Sequence, residues 1–480
     1  MEGCDFLKKF FSILWRVLLA FLIYTLVGML IPFIGSKSVS EEFKNDLATK
    51  NFYSESLSGE RVKIVEDNDD AFKVRVQMIE SANERIIVST YKYRRDWSGL
   101  NFVSALYEAS KRGVSVEFIV DGYTSATLTH DLKELKVLNT LPNFEVKVYN
   151  KINLLTPWKH NGRQHDKYVI IDNQSYVVGG RNITNSSLSN EYGDNKYDRD
   201  VFVYNSDLSN ASSVDELVAY HENKWNSKAA SLISKRSSYR DKEKVLTNLS
   251  ERYDEFKAEY PSYFENTDFE AITTRVNKVS ILTNPTHIYK KEPHIFYALS
   301  ELMNNATSSI KVHSPYFIMD KQMYEVFNQI GERTLTSDLE ATLFTNSAGN
   351  SANPFGSLEL RINKDKLLNT NFTLYELESG YSYHSKSLTI DDELAIIGSF
   401  NFDMRSTYIA AEVMVVVHSE VVAAELNAYM EDYEQNNSVK YTNTGEHVPE
   451  GVIKQTLSFW DHLLHLLILI FVWWWGRSLF

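Results

Sequence analysis

The chain has 480 residues, 43% hydrophobic and 13% aromatic, with a formal net charge of −13. That length allows about three domains with sizeable cores, and the acidic balance gives no broad attraction for nucleic acid. The single cysteine, Cys4, excludes an intrachain disulfide and a cysteine metal cluster, so stability rests on packing.

From Val17 to Ile34 the run VLLAFLIYTLVGMLIPFI carries no charge. As a helix at about 1.5 Å per residue it spans roughly 27 Å, near the hydrocarbon thickness of a bilayer. It reads as a retained transmembrane anchor rather than a cleaved signal, because it exceeds a usual signal core and no small-x-small site follows. Lys8, Lys9 and Arg16 precede it, whereas Glu41, Glu42 and Asp46 dilute Lys37 and Lys44 after it, which favours a cytoplasmic N-terminus.

Beyond the anchor the predicted elements form two matching series, an internal repeat. Asp70 to Tyr93 gives a helix and the strand Arg85 to Ser89, and His294 to Phe317 gives a helix and the strand Ser309 to His313. A second helix and strand follow in each, Phe102 to Arg112 with Val114 to Val120, and Met323 to Ile330 with Leu339 to Phe344. The alternation predicts an α/β fold with two mixed sheets flanked by helices, behind an N-terminal transmembrane helix. Predicted boundaries are an anchor over 1–36, a first unit over 37–225, a helical connector over 226–277, a second unit over 278–440 and a membrane-associated segment over 441–480. The connector is charged, with Lys235, Arg236, Arg240, Asp241, Lys242, Glu243 and Lys244. Residues 346–353, rich in Ser, Asn and Gly, are predicted as a mobile loop over the site. At the far end Leu463 to Trp475 reads LLHLLILIFVWWW, with Asp461, His462, His465 and Arg477 in or beside it. It is too short to span alone, and three tryptophans favour the headgroup region, so an interfacial helix is expected.

Each series ends in the same pattern, His-x-Lys-x-x-x-x-Asp. The first copy is His165, Lys167 and Asp172, the second His384, Lys386 and Asp391. Each leads into a matching sequel, Val177-Val178-Gly179-Gly180-Arg181-Asn182 and Ile396-Ile397-Gly398-Ser399-Phe400-Asn401. A single His-x-Lys pair is ordinarily a surface histidine beside a surface lysine; two copies with matched sequels are not. At period two the histidine and lysine of each copy project from one face just before an apolar strand.

This set suits displacement at phosphorus in a diester. A neutral imidazole can attack phosphorus while a protonated one donates to the leaving oxygen, and an ordinary pKa of about 6.5 lets both forms exist near neutrality. Two lysines and two asparagine amides supply positive charge and donors for the phosphoryl oxygens without a metal.

On these residues the chain resembles the phospholipase D superfamily, over roughly Glu60 to Glu431. The resemblance implies that His165, Lys167 and Asn182 meet His384, Lys386 and Asn401 across a pseudo-twofold axis as one site, with no cofactor and no metal. It implies a covalent phosphohistidine, assigned to His165, with the other histidine protonating the leaving alcohol and activating the incoming one. Asp172 and Asp391 complete the catalytic motifs and are usually structural in the family. Asp200, in Tyr197-Asp198-Arg199-Asp200-Val201, and Glu412, in Ala410-Ala411-Glu412-Val413, hold the places of the acids that orient the histidines.

Gly398-Ser399-Phe400-Asn401-Phe402-Asp403-Met404-Arg405-Ser406 and Gly179-Gly180-Arg181-Asn182 look like signatures of the bacterial cardiolipin synthases and their phospholipase D-like relatives. Two departures bear on acceptor choice: Thr184-Asn185 opens a longer polar loop where Gly-Asp is common, and Ala410 stands where an Asn often precedes the final acid. The expected function is a membrane-bound phosphatidyltransferase of cardiolipin synthase type with phosphatidylglycerol as acceptor, in a bacterial inner membrane. Its expected partners are phospholipid substrates and the membrane, with no nucleic acid. The alternatives are phospholipid hydrolysis to phosphatidic acid, a phosphodiesterase on nucleic acid, and a non-catalytic scaffold, which retention of both histidines and both lysines disfavours.

Overall fold

The computed structural model of the chain describes residues 2–35, 37–127, 129–193, 195–234, 239 and 241–476. Lys235, Arg236, Arg240 and Arg477 lie outside the described residues, and the side chains of Cys4, Trp474 and Trp475 are outside the description.

The β-branched runs of the sequence form two nine-stranded mixed sheets of the same design. At the centre of the first, Arg85–Thr90, Ser115–Asp121 and Phe144–Tyr149 run parallel, and Tyr168–Ile171, Ser175–Gly179, Asp200–Asn205 and Glu60–Val65 continue antiparallel on one side. The second repeats this with Ser309–His313, Glu340–Asn346 and Thr373–Leu377 parallel, then Ser387–Ile390, Leu394–Gly398, Val413–His418 and Lys278–Thr283 antiparallel.

Strand alternation explains how the halves join. Ile86 and Val88 belong to the core of the first half, under its own helices, while Ile87 between them faces the other half. Likewise Ile396 packs in the second half's core, and Ala395 and Ile397 turn to the shared layer. That layer joins Val62, Ile64, Ile170, Val178 and Val201 to Val279, Ile281, Val413 and Val415, so the sheets stack face to face, and the helices Ser213–Trp225 and Glu420–Asn436 add Leu217 and Leu426 to the same layer.

The segment expected as a connector is built into the first half. Ala230–Leu232 is the edge strand beside Phe144–Tyr149. Along the helix Lys242–Glu259, Val245, Leu249 and Tyr253 recur every four residues and, with Leu246 and Phe256, enter the first core. The charged residues that dominate this stretch occupy the opposite face of an amphipathic helix.

Phe6–Phe33 is long and apolar enough to cross a membrane, and its surface lies mostly outside the body of the protein. Its C-terminal end is fixed to the loop leading into His165. Tyr24 Oη donates to the Leu155 carbonyl (2.7 Å), Asn161 Nδ2 donates to the Met29 carbonyl (2.6 Å), and Gly28 lies so close to Pro157 that a Cβ would meet the ring at 2.4 Å. The chain then crosses to the second half, where Phe43 stacks on His294 at 3.7 Å and Lys50 donates to the Ile281 carbonyl (2.9 Å). The C-terminal helix Phe459–Phe471 is 13 residues long. It rests on the helix Pro354–Leu368 through Ile468 and Leu358, with Arg361 donating to His465 Nδ1 (2.7 Å), and exposes Phe459, Trp460, Leu464 and Ile470. Residues 346–353 are tied down rather than free at their start: Asn346 Nδ2 donates to the carbonyls of Pro315 (2.9 Å) and Tyr383 (2.8 Å), and Ser347 donates to Glu378 (2.9 Å).

Candidate active site

Each His-x-Lys segment lies where the other half ends a turn, so the halves complete each other. The backbone N–H groups of His165 and Asp166 donate to the Ala411 carbonyl (2.9 and 3.0 Å), and the Ala411 N–H donates to the Arg163 carbonyl (2.9 Å). In the second copy the His384 N–H donates to the Tyr197 carbonyl (2.7 Å), and Ser382 and Tyr383 pair with Lys196 and Tyr197. Ala411 and Tyr197 therefore play the same part, and the residue after each is an acid.

Those acids reach the histidines across the interface. His165 Nδ1 lies 2.9 and 3.1 Å from the oxygens of Glu412, and His384 Nδ1 lies 2.7 Å from Asp198 Oδ2. With Nδ1–H engaged by a carboxylate, each Nε2 is left for substrate. The imidazoles keep 18% and 23% of their side-chain surface open, while both carboxylates are closed to solvent. Lys167 and Lys386 are buried, and each ammonium donates to the carbonyl of its own motif histidine.

The orienting acid of the second histidine is thus Asp198 and not Asp200. Strand pairing explains the shift: Asp200 lies opposite Gly179 just as Met414 lies opposite Gly398, so Glu412 corresponds to the residue two before Asp200. Asp200 instead forms buried ion pairs with Arg75 (2.8 Å) and Arg181 (3.3 Å). Glycine is required at Gly179 and Gly180, where a Cβ would strike Asp200 Oδ1 at 1.9 Å and Asp198 Oδ1 at 2.2 Å.

Asp172 and Asp391 also leave the reacting centre. Each lies five positions beyond its lysine, across a four-residue strand, about 16 Å at roughly 3.3 Å per residue. Asp172 accepts the backbone N–H groups of Asn83, Glu84 and Arg85 (2.7 to 2.8 Å), and Asp391 accepts those of Thr307, Ser308 and Ser309 (2.7 to 3.0 Å). Both sit at positive φ in the hairpin after the motif strand and clamp the start of the neighbouring parallel strand. Their chemistry is that of a turn.

Asn182 Oδ1 accepts the Lys92 N–H (3.0 Å), which fixes the plane of its amide. Asn401 is buried, and its Oδ1 has no hydrogen-bond partner among the described residues. Sequence reasoning missed several contributors. Ser399 and Ser406 both donate to Glu412, the second at 2.8 Å. Tyr91 sets its ring edge against His165 at 5.3 Å. The two serines were visible as members of the Gly-Ser and Arg-Ser signatures, without a role; nothing in the sequence marks Tyr91.

Burial dominates the electrostatics. It holds the His165 imidazole well below its ordinary value, assisted by Lys167, Lys386 and Arg405. Burial and Lys386 likewise lower His384, to about 3, against the opposing pull of Asp198. Lys167 and Lys386 are drawn down by burial to about 8 and about 7. The carboxylates diverge. Burial pushes Glu412 up to about 8 against Lys167 and the two serine hydroxyls, whereas at Asp198 the same burial is outweighed by His384, Lys386 and Arg181, which hold it below the usual carboxylate range. Of the two acids, Asp198 is the one held towards its anionic form and Glu412 the one pushed towards its protonated form. The charges that act on His165 come from both halves, so the two motifs form one site.

The family "Cardiolipin synthase, PLD-like domain" matches residues 76–225 and 299–433, both halves of the molecule. Cardiolipin synthase C of Escherichia coli K12 is 26% identical over 411 residues, 75% of this chain and 81% of that protein. Cardiolipin synthase 1 of Staphylococcus epidermidis is 25% identical over 379 residues, 78% of this chain and 68% of that one. The crystal structure of phosphatidylserine synthase from Haemophilus influenzae has the same fold, with a TM-score of 0.63 at 13% identity over 92% of this chain and 99% of that one. With both repeats matched and both histidines paired to acids, the chain belongs to the cardiolipin synthase family of the phospholipase D superfamily, enzymes of the phosphatidyltransferase and phosphodiesterase class.

Proposed function

We propose that this chain is a membrane-bound phosphatidyltransferase of cardiolipin synthase type that works through a phosphohistidine and uses phosphatidylglycerol as acceptor. The observation that carries the reading is the crossed pairing of His165 with Glu412 and of His384 with Asp198 around two buried lysines. His165 Nε2 attacks phosphorus of the donor lipid, and the bond from phosphorus to the headgroup oxygen breaks. His384 gives its proton to that oxygen as the headgroup leaves. The acceptor hydroxyl then surrenders its proton to His384 and attacks phosphorus, and the phosphorus–nitrogen bond breaks to free His165.

The carboxylates support this division of labour. Asp198, held anionic, pulls His384 towards the imidazolium form that an acid needs, against the burial and Lys386 that hold it down, and a bound diester adds negative charge in the same sense as Asp198. Glu412, pushed up, leaves His165 as the neutral partner. Lys167, Lys386 and the amides of Asn182 and Asn401 are assigned to the phosphoryl oxygens, where developing charge is stabilised. The apolar helix Phe6–Phe33, fixed next to the loop that precedes His165, supports delivery of the site to a bacterial inner membrane; the exposed apolar face of Phe459–Phe471 supports a second, in-plane contact. Hydrolysis to phosphatidic acid is the same sequence with water as acceptor.

The test is to incubate the purified full chain in mixed micelles of phosphatidylglycerol and phosphatidylethanolamine and identify the lipid products by mass spectrometry. Cardiolipin is the expected product; phosphatidic acid alone would make the protein a hydrolase, and no lipid turnover would remove the lipid reading.

A further inference from the structure

Two lysines outside the motifs lie beside residues of the site. The Lys92 backbone holds Asn182: its N–H donates to Asn182 Oδ1 (3.0 Å), and its carbonyl accepts the Ile183 N–H (3.1 Å). Lys196 lies in the two-residue strand that pairs with Ser382 and Tyr383, immediately before His384, and Asn68 Nδ2 donates to its carbonyl (3.3 Å). Both side chains are half-buried, and among the described residues neither ammonium forms an ion pair. In a chain of net charge −13 this is conspicuous, because the neighbouring Arg94 has Asp131 at 3.6 Å.

Burial lowers Lys92 from its ordinary value, and Arg94 and Lys196 lower it further, against the opposing pull of Asp96 and Asp131. Lys196 also acts on His384 and Lys386, which places its charge on the His384 side of the site. Two half-buried ammoniums, one beside Asn182 and one beside the His384 segment, neither paired with a carboxylate among the described residues, favour an anion bound between them.

We infer that Lys92 and Lys196 form a second anion subsite, which binds the acceptor lipid's own phosphodiester. The inference rests on the transferase reading above. His384 there takes the proton of the acceptor hydroxyl, so that hydroxyl lies at His384, and the phosphate one glycerol unit away lies beyond it, towards Lys196. Phosphatidylglycerol carries that phosphate; water and simple alcohols do not. The subsite therefore selects an anionic phospholipid over competing acceptors, through binding of a group remote from the reacting atoms.

The test sets two acceptors against each other on one intermediate. The full chain, in micelles of labelled phosphatidylglycerol with added ethanol, gives cardiolipin from the lipid acceptor and phosphatidylethanol from the alcohol. Their ratio cancels the donor step. For K92Q/K196Q the ratio of cardiolipin to phosphatidylethanol is expected to fall at least about tenfold, a loss of about 1.4 kcal/mol, and K92R/K196R is expected to restore most of it. A ratio within about twofold of wild type, whether both products fall together or neither does, overturns the subsite. The single variants are read by the same ratio if the double variant makes no product. Wild-type protein that makes phosphatidylethanol but no cardiolipin would instead overturn the acceptor assignment of the preceding section.

Discussion

The two histidine–carboxylate pairs are built by the same backbone exchange, yet they differ in the acid and in its surroundings. Asp198 is short, lies 2.7 Å from His384 and is held anionic by His384, Lys386 and Arg181 against its burial. Glu412 is longer, accepts two serine hydroxyls as well as His165, and is pushed up to about 8 by burial. A duplicated fold can thus draw an acid and a base from two copies of one motif: the motif supplies two equivalent imidazoles, and residues from the opposite half make them unequal.

Removal of either imidazole abolishes the paired arrangement altogether. His165→Ala or His384→Ala is expected to lower kcat by at least about 10^4-fold, because each serves in both halves of the reaction. Substantial turnover in either variant would contradict a shared site.

Next in size is Asp198→Asn, expected to cost about 10^3-fold in kcat through loss of the charge that supports the imidazolium. Asp200→Asn sharpens the point. It breaks buried pairs with Arg75 and Arg181 and is expected to cost about 3 kcal/mol of stability in thermal unfolding, without the kcat effect per folded molecule. Reversed effects would restore Asp200 as the orienting acid.

Glu412→Gln is expected to lower kcat about 10^2-fold while changing stability in the opposite sense. The folded-state pKa of Glu412 is raised from an ordinary 4.5 to about 8, so the folded protein holds the proton more tightly than the unfolded chain. Stability from this group is therefore greatest below pH 4.5 and declines as pH rises to about 8. Melting curves of the variant should lose that decline and lie above wild type near pH 8; a lower melting temperature there would contradict the assignment.

The smallest expected effect on catalysis is that of Asp391→Asn. The amides of Ser308, Ser309 and Thr307 hold Asp391 below the usual carboxylate range against a burial that pushes it up. Its contribution is present above the unfolded pKa and is lost as pH falls through the folded one. Solvent screens this partly exposed carboxylate, so the variant should lose about 1 kcal/mol at neutral pH, less in acid, with kcat per folded molecule near wild type. A large fall in kcat would return Asp391 to the reacting centre.

The sequence made the duplicated motif, the two-sheet α/β fold and the anchor legible because each is local or periodic. His165, Lys167, His384 and Lys386 fall within a few residues of one another in each copy, and the 18 uncharged residues from Val17 need no partner to be recognised. What was not legible depends on register and on cross-half contact. Asp198 and Asp200 flank one arginine, and only the pairing of Asp200 with Gly179 decides between them. The helix Lys242–Glu259 reads as charged along the chain, while its buried stripe of Val245, Leu249 and Tyr253 belongs to a core assembled from distant strands. Asp172 and Asp391 sit inside the motif by spacing, but strand length carries them to the far end of the hairpin.

The most direct test of the central claim is to trap the intermediate. His384→Ala, reacted with a phosphatidyl ester whose leaving group needs no proton, is quenched in alkali, digested and mapped by mass spectrometry. A phosphatidyl adduct on His165 is expected; product formation with no adduct on any histidine would contradict a phosphohistidine mechanism.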